Sequence, residues 1–175
     1  MNLRRNYAKL YQTYHTANPK QFSGKLSAEQ VAEIAALVTW AQPARLLDYG
    51  SGKGYQYLER RLHEQWGGLL PHCYDVGVIQ IGKRPAGQFG GIICTDVMEH
   101  IDEADVPLIL DDVFGFVEPV GPAFAYFHIS TRPAGKEFEG GENVHLTVKP
   151  PQWWDRQFDR FHKRDDLAIK VTYGD

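Results

Sequence analysis

Apolar residues recur along this chain at two spacings, and the spacing changes where the elements change. Val31, Ile34, Ala35 and Val38 follow one another at helical intervals behind Ser27-Ala28-Glu29-Gln30, a Ser-x-x-Gln capping box. They predict an amphipathic helix over 28–41, ended by Pro43. Tyr7, Tyr11 and Tyr14 share one face of an earlier short helix, which Asn18-Pro19 breaks. Strand-like segments occupy Ala44–Asp48, Leu69–Asp75, Gly90–Thr95 and Phe124–Ser130, and Gly90–Thr95 has the continuous apolar character of a central parallel strand. Leu167–Tyr173 alternates as a final strand. Between them lie helical patterns at Tyr55–Trp66, at 106–114 with Asp102 or Asp105 as cap, and at Pro151–Phe161. Strands alternating with helices predict an α/β fold with a mostly parallel, doubly wound sheet.

Composition narrows the class. The chain has 175 residues, 43% of them hydrophobic, and a formal charge of −3, which suits one domain with a well-buried core. No apolar run is long enough to span a bilayer, so no membrane partner is expected, and the amino terminus lacks a signal-peptide pattern. Cys73 and Cys94 fall in strand-like segments and form no metal or redox motif. They read as small buried hydrophobes in a reducing compartment, and the expected location is cytoplasmic. Charge is unevenly spread. Residues 1–25 carry Arg4, Arg5, Lys9, Lys20 and Lys25 and no acid, whereas 99–118 carry seven acids and no Lys or Arg. These two patches either touch each other or present one of themselves to a charged substrate.

The chemistry concentrates after the first strand. Leu46-Leu47-Asp48-Tyr49-Gly50-Ser51-Gly52-Lys53-Gly54 runs from a strand into Asp-x-Gly-x-Gly-x-Gly. Strand, glycine turn and helix together are how an α/β sheet offers backbone amides to a cofactor at its carboxyl edge. A dinucleotide fingerprint reads Gly-x-Gly-x-x-Gly, but Tyr55 stands where its third glycine belongs. Asp75 closes the second strand 27 residues after Asp48, where a carboxylate can accept both hydroxyls of a ribose. Further on come Cys94-Thr95-Asp96-Val97-Met98-Glu99-His100-Ile101, then Ser130-Thr131-Arg132-Pro133, then Asn143-Val144-His145-Leu146-Thr147-Val148-Lys149-Pro150-Pro151-Gln152-Trp153-Trp154.

Together these segments resemble class I S-adenosylmethionine-dependent methyltransferases of the small bacterial type, over roughly residues 44–161. The resemblance implies a Rossmann-like doubly wound sheet with helices on both faces; the family usually has a seventh strand, whereas this chain stops near a sixth, so about six strands are expected. It also implies S-adenosylmethionine as cofactor, S-adenosylhomocysteine as product, and methyl transfer to an oxygen or nitrogen acceptor. Gly50, Ser51, Gly52 and Gly54 would pack against the methionine part, with Asp48 opening the turn. Asp75 would hold the ribose, and Asp96 would face cofactor and substrate from the end of the fourth strand of the family. The span from Asp75 to Gly90 is too short for the usual third strand and helix, so the adenine wall is expected from 76–81, with Val76 in contact. On this reading residues 1–175 form one domain, with 1–26 as an arm or lid and 27–175 as the cofactor-binding core.

Asp96, Glu99, His100 and His145 are the candidates for catalysis, with His100 or His145 as general base. Asp96-x-x-Glu99-His100 and a later histidine also resemble the metal-binding pattern of small-RNA terminal 2′-O-methyltransferases. Metal-free relatives carry Glu-His here too, so the sequence assigns no metal ligand. A metal-dependent RNA ribose methyltransferase therefore stays open as an alternative, as does a non-catalytic methyltransferase-like binding module. His128, inside a strand, reads as a satisfied core histidine. Tyr7, Tyr11, Tyr14 and the basic residues of the arm suit a lid or a substrate-reading element. The acidic overall balance argues against non-specific polyanion binding, so a nucleic-acid partner is not indicated. A small molecule or an exposed polymer is the expected substrate. The sequence does not determine the oligomeric state.

Overall fold

Parallel pairing of five strands organises the chain. The computed structural model describes residues 3–18, 22 and 24–174; Pro19 and Lys20, assigned above to the helix break and the basic arm, lie outside the described residues. The elements run α1 (Tyr7–Ala17), α2 (Ala28–Ala41), β1 (Leu46–Tyr49), α3 (Tyr55–Leu58), β2 (His72–Tyr74), β3 (Gly91–Thr95), α4 (Val106–Phe114), β4 (Ala123–Ser130), α5 (Pro151–Phe158) and β5 (Leu167–Gly174). The sheet order is β2-β1-β3-β4-β5, every neighbour pair parallel. This is an α/β fold with an all-parallel, Rossmann-like sheet, with five strands among the described residues where about six were expected. The chain leaves β1 to one side for β2 and returns to the other side for β3, which makes a topological switch point between β1 and β3.

Alternation along the strands separates two cores. Leu46, Ile93, Phe124 and Tyr126 cluster with Val31 and Ile34 of α2 and with Trp66. The opposite parity, Leu47, Ile92, Cys94, Ala125 and Phe127, clusters with Ile109 and Val113 of α4 and with Trp154 and Phe158 of α5. Leu47, Ile92, Ala125 and Ile169 stand opposite one another across four strands, a lateral row that the parallel register dictates. The capping box at α2 forms as the sequence predicts. Ser27 Oγ accepts from Gln30 N at 3.2 Å, and Gln30 Oε1 accepts from Ser27 N at 2.7 Å.

Two expectations about helices change. The helix predicted over Tyr55–Trp66 stops after one turn, Arg61 adopts a left-handed conformation (φ 53°), and a 3-10 turn spans Leu62–Trp66. The reason is periodicity. Tyr57 and Trp66 would point to opposite sides of one continuous helix, yet both belong to the same core cluster, with ring centroids 6.2 Å apart. At α4, Asp105 holds the N-cap position but makes no side-chain cap bond. Its buried carboxylate instead accepts from Arg4 N at 3.0 Å and from Tyr7 Oη at 2.7 Å.

That contact answers the question of the two charge patches. They touch each other. Arg5 lies 3.6 Å from Asp102 and pairs bidentately with Glu142, and the Tyr7 hydroxyl accepts from Asp102 N at 3.0 Å. Helix α1 is thereby pinned over the carboxyl ends of the strands. Among the described residues no helix is long and apolar enough to cross a membrane.

Tyr7→Phe removes a hydroxyl that both donates to a buried carboxylate and accepts a backbone amide. The expected cost is about 1–3 kcal/mol of local stability. Hydrogen exchange should show the α1 amides exchanging faster while β1, β3 and β4 keep their protection. Unchanged α1 protection would mean that this docking contact does not hold the arm.

Candidate functional site

The glycine turn after β1 is built without spare donors. Gly50 N and Ser51 N both donate to Tyr74 O, at 2.7 and 3.2 Å. Gly52 N donates to Asp75 Oδ2 at 2.8 Å, Lys53 N to Phe22 O at 2.8 Å, and Gly54 N to Ser51 O at 3.2 Å. The sequence led us to expect amides offered to a ligand; the structure spends all five inside the protein. A phosphate cradle needs free amides, so this turn is shaped for close approach and not for anion capture. Gly50 (φ 80°) and Gly52 (φ 57°) are required here for two reasons. Both adopt left-handed backbone, and a Cβ at Gly50 would overlap Val97 Cγ2 while one at Gly52 would stand 2.5 Å from Phe22 O.

Beside the turn opens a cavity of about 960 Å³, at the upper end of the range for a small-molecule site. It lies over the carboxyl ends of three strands, with Asp48 from β1, Asp75 and Val76 after β2, and Thr95 and Asp96 at the end of β3. This is the switch point, where doubly wound sheets bind ligands. Gly50, Ser51 and Gly52 line it; Gly54 does not, and faces Cys73 instead. Tyr7, Tyr11 and His15 of α1 also line the cavity, so the arm is part of its wall. Tyr11 donates its hydroxyl to His100 O at 2.9 Å, and Gln12 Nε2 donates to Val76 O at 3.1 Å. The His15 ring stacks on Phe22, with centroids 4.2 Å apart.

Asp75 holds the cavity's rim. Its Oδ1 accepts from Gly77 N at 2.7 Å while Oδ2 takes Gly52 N, and each oxygen keeps a lone pair for a ligand hydroxyl. Burial raises its pKa, and the two backbone amides together with the nearby His15 pull it back down. Burial lowers the pKa of His15 in turn. Asp96 takes up a left-handed backbone conformation (φ 55°), uncommon for any residue but glycine and tolerated best by Asp and Asn. Its side chain is 56% exposed, and Oδ1 lies 3.9 Å from His128 Nε2. His128 was expected to be an ordinary core histidine. Its Nδ1 does find Thr172 Oγ1 at 2.9 Å, but its other edge faces Asp96. Only the parallel register, which sets Thr95 beside His128, brings the two strand ends together.

Of the four catalytic candidates, Asp96 and His100 line the cavity, while Glu99 and His145 stand behind His100. The His100 and His145 rings are perpendicular, with centroids 4.9 Å apart. Burial, opposed by its bond to Val144 O, pushes the His100 pKa down to about 4, which makes it a weak base at neutral pH. Glu99 is fully buried, and burial together with nearby Asp96 raises its pKa to about 8. Among basic residues near the cavity, Arg84 is engaged with Asp112 at 2.8 Å and covers the Phe116 ring.

Asp48 is the buried acid under the turn. Its Oδ2 accepts from Gln56 Nε2 at 2.9 Å and from the Tyr57 hydroxyl at 2.7 Å, both delivered by α3. Burial raises its pKa from 3.8 to about 7, against the pull of those two bonds. A raised carboxyl pKa stabilises the fold below the unfolded value and loses that contribution as pH climbs through the folded one. Stability should therefore fall between pH 4 and pH 8, with this group contributing on the order of 4 kcal/mol to the decline. Asp48→Asn should flatten that part of the slope in urea unfolding measured across the range. An unaltered slope would show that the carboxyl is ionised throughout.

No protein-family model, no curated protein and no solved structure matches this chain.

Proposed function

We propose that this chain binds S-adenosylmethionine and transfers its methyl group to an oxygen or nitrogen acceptor. One observation carries the reading. The cavity at the switch point is bounded by a glycine turn with no free amide, while Asp75 and Asp96 supply its accessible polar oxygens. Pyrophosphate-bearing cofactors need amide donors at such a turn, and this one has none to give. An adenosyl sulfonium asks for the reverse. A ribose diol wants a carboxylate acceptor, as Asp75 provides, and a cationic sulfur is favoured near carboxylates.

Methyl transfer is an in-line displacement. The acceptor's lone pair forms a bond to the methyl carbon, the carbon–sulfur bond breaks, and its electron pair neutralises the sulfur to leave S-adenosylhomocysteine. The acceptor's proton must leave, and Asp96, exposed at the cavity with His128 beside it, is the group placed to receive it. The protein's larger contribution is to hold two groups in line and exclude water, for which a roof such as α1 is suited.

Calorimetric titration with S-adenosylhomocysteine, with NADH as control, tests the reading. Micromolar binding of the first ligand alone is the expected outcome. Asp75→Asn should weaken it about tenfold to a hundredfold by loss of a charged acceptor, and Gly52→Val should abolish it, because the side chain displaces the strand of backbone at Phe22 and Gly24. No binding at millimolar ligand by a folded wild-type chain would overturn the proposal and favour a non-catalytic module. Tight NADH binding would overturn it in favour of a dehydrogenase.

A further inference from the structure

The two edges of the sheet differ in length. At one end of the strand order β2 spans three residues, His72–Tyr74, whereas at the other end β5 spans eight, Leu167–Gly174. We propose that the outer edge of β5 pairs antiparallel with the same edge of a second copy of this chain, about a twofold axis at Val171, joining two five-stranded sheets into one.

The backbone groups on that edge can be named. Asp166 O accepts from Ala123 N at 2.9 Å and Gly174 O from Thr131 N at 3.0 Å, so the even-numbered residues turn their backbone towards β4. In an extended strand a residue's N–H and C=O point to one side, and the side alternates from residue to residue. Ile169, Val171 and Tyr173 therefore turn theirs outward, where no strand lies beside them among the described residues. Each carries a donor and an acceptor that a further strand would satisfy.

Nothing along the edge keeps such a strand away. Edge strands are ordinarily blunted by proline, a bulge, short length or an unpaired charge. β5 has no proline, and its register with β4 runs unbroken from Leu167 to Gly174. At about 3.3 Å per residue the edge is about 26 Å long. Its one charge, Lys170, is held by Glu33 of α2 at 2.6 Å. Leu167, Ile169, Val171 and Tyr173 pack on the core shared with α4 and α5, yet each is only half-buried. Apolar surface is left open beside the outward amides.

The sequence of β5 matches itself in one register, which is why the partner is a second copy. Pairing about Val171 sets Val171 against its own copy and Ile169 against Tyr173, as hydrogen-bonded pairs of outward-facing residues. A β-branched residue opposite an aromatic one is a favourable cross-strand pair. Lys170 then stands opposite Thr172, whereas pairing about Lys170 would oppose like charges. The contact is isologous, and the short β2 edge offers no equivalent, so association closes at two copies. No described residue of β5 lines the cavity, so this surface stands whether or not the chain binds S-adenosylmethionine.

Analytical ultracentrifugation of the untagged chain from about 1 μM to about 200 μM tests the pairing. The mass should rise with concentration from 19.9 kDa to twice that value and no further. Val171→Pro removes one outward amide and leaves the β4 ladder intact, as edge strands allow. It should raise the dissociation constant of the dimer more than about tenfold. Circular dichroism and thermal unfolding check that the variant folds. Val171→Cys reads the register. Opposed Cα atoms about 5.5 Å apart suit a disulfide, so mild oxidation should link two copies through residue 171. The wild type, oxidised alike, controls for Cys73 and Cys94. Should Val171→Pro fail to fold, Val171→Cys decides alone. A wild type that stays monomeric throughout would overturn the proposal and leave the edge to a strand of another protein. So would growth past two copies, a dimer that a folded Val171→Pro leaves undiminished, or a Val171→Cys chain that does not cross-link.

Discussion

The turn between β1 and α3 closes on the exit of β2, and the cavity depends on that closure. Tyr74 O takes two of the turn's amides and Asp75 takes a third, so the carboxyl ends of β1 and β2 are held as one unit. The backbone at Phe22 takes a fourth from the other side, which fixes the segment before α2 against the same turn. Glycines at positions 50 and 52 make the closure possible, since side chains there would drive Val97 and Phe22 away. What remains for a ligand is a smooth concave floor with carboxylates at its rim. The selectivity proposed for the site is a consequence of how its own backbone is satisfied.

A second dependence links the arm to the floor. The acidic stretch that begins at Glu99 is not a solvated patch awaiting a basic partner from outside; Asp102 and Asp105 are matched by the amino-terminal segment, and Glu103, Asp111 and Asp112 by Lys149, Arg160 and Arg84. Asp105 gives up its capping role at α4 to hold Arg4 and Tyr7, and Asp102 holds Arg5. Burial makes that exchange worthwhile, because a carboxylate holding the Arg4 amide across both oxygens and the Tyr7 hydroxyl tolerates an interior site where a single helix-end amide would leave it short. The arm then contributes tyrosines and a histidine to the cavity wall. This part of the cavity wall and the docking of α1 thus depend on the same few bonds.

Local signals were legible where a residue's role is decided by its neighbours in sequence. The capping box at Ser27 and Gln30, the buried run at Gly91–Thr95 and the final strand at β5 all appear as read, although β5 is half-buried along its whole length instead of alternating. Asp75 could be placed at a strand end beside the glycine turn from spacing alone, and it stands there. The single long helix over 55–66 was not foretold to break, because Tyr57 and Trp66 satisfy a helical pattern individually while their shared destination requires a kink. About six strands were expected, one short of the resembled family, and five are found among the described residues. His128 was undervalued because nothing in its own segment shows that Asp96 lies across the register from it.

Sequence by itself determined the α/β alternation, the order of the elements and the candidates Asp48, Asp75, Asp96, Glu99, His100 and His145. It could do so because hydrophobic period and turn chemistry act over a few residues. Tertiary structure decided where the hydrogen-bonding capacity of those groups goes. The glycine turn's amides are consumed by residues 22, 51, 74 and 75, the acids at 102 and 105 by the arm, and the imidazoles' Nδ1 atoms by carbonyls at 132 and 144. A donor or acceptor is available for chemistry only if no distant segment has already taken it. Pairings between residues far apart in the chain have no local signature, so what the site can bind emerges only once the sheet has assembled.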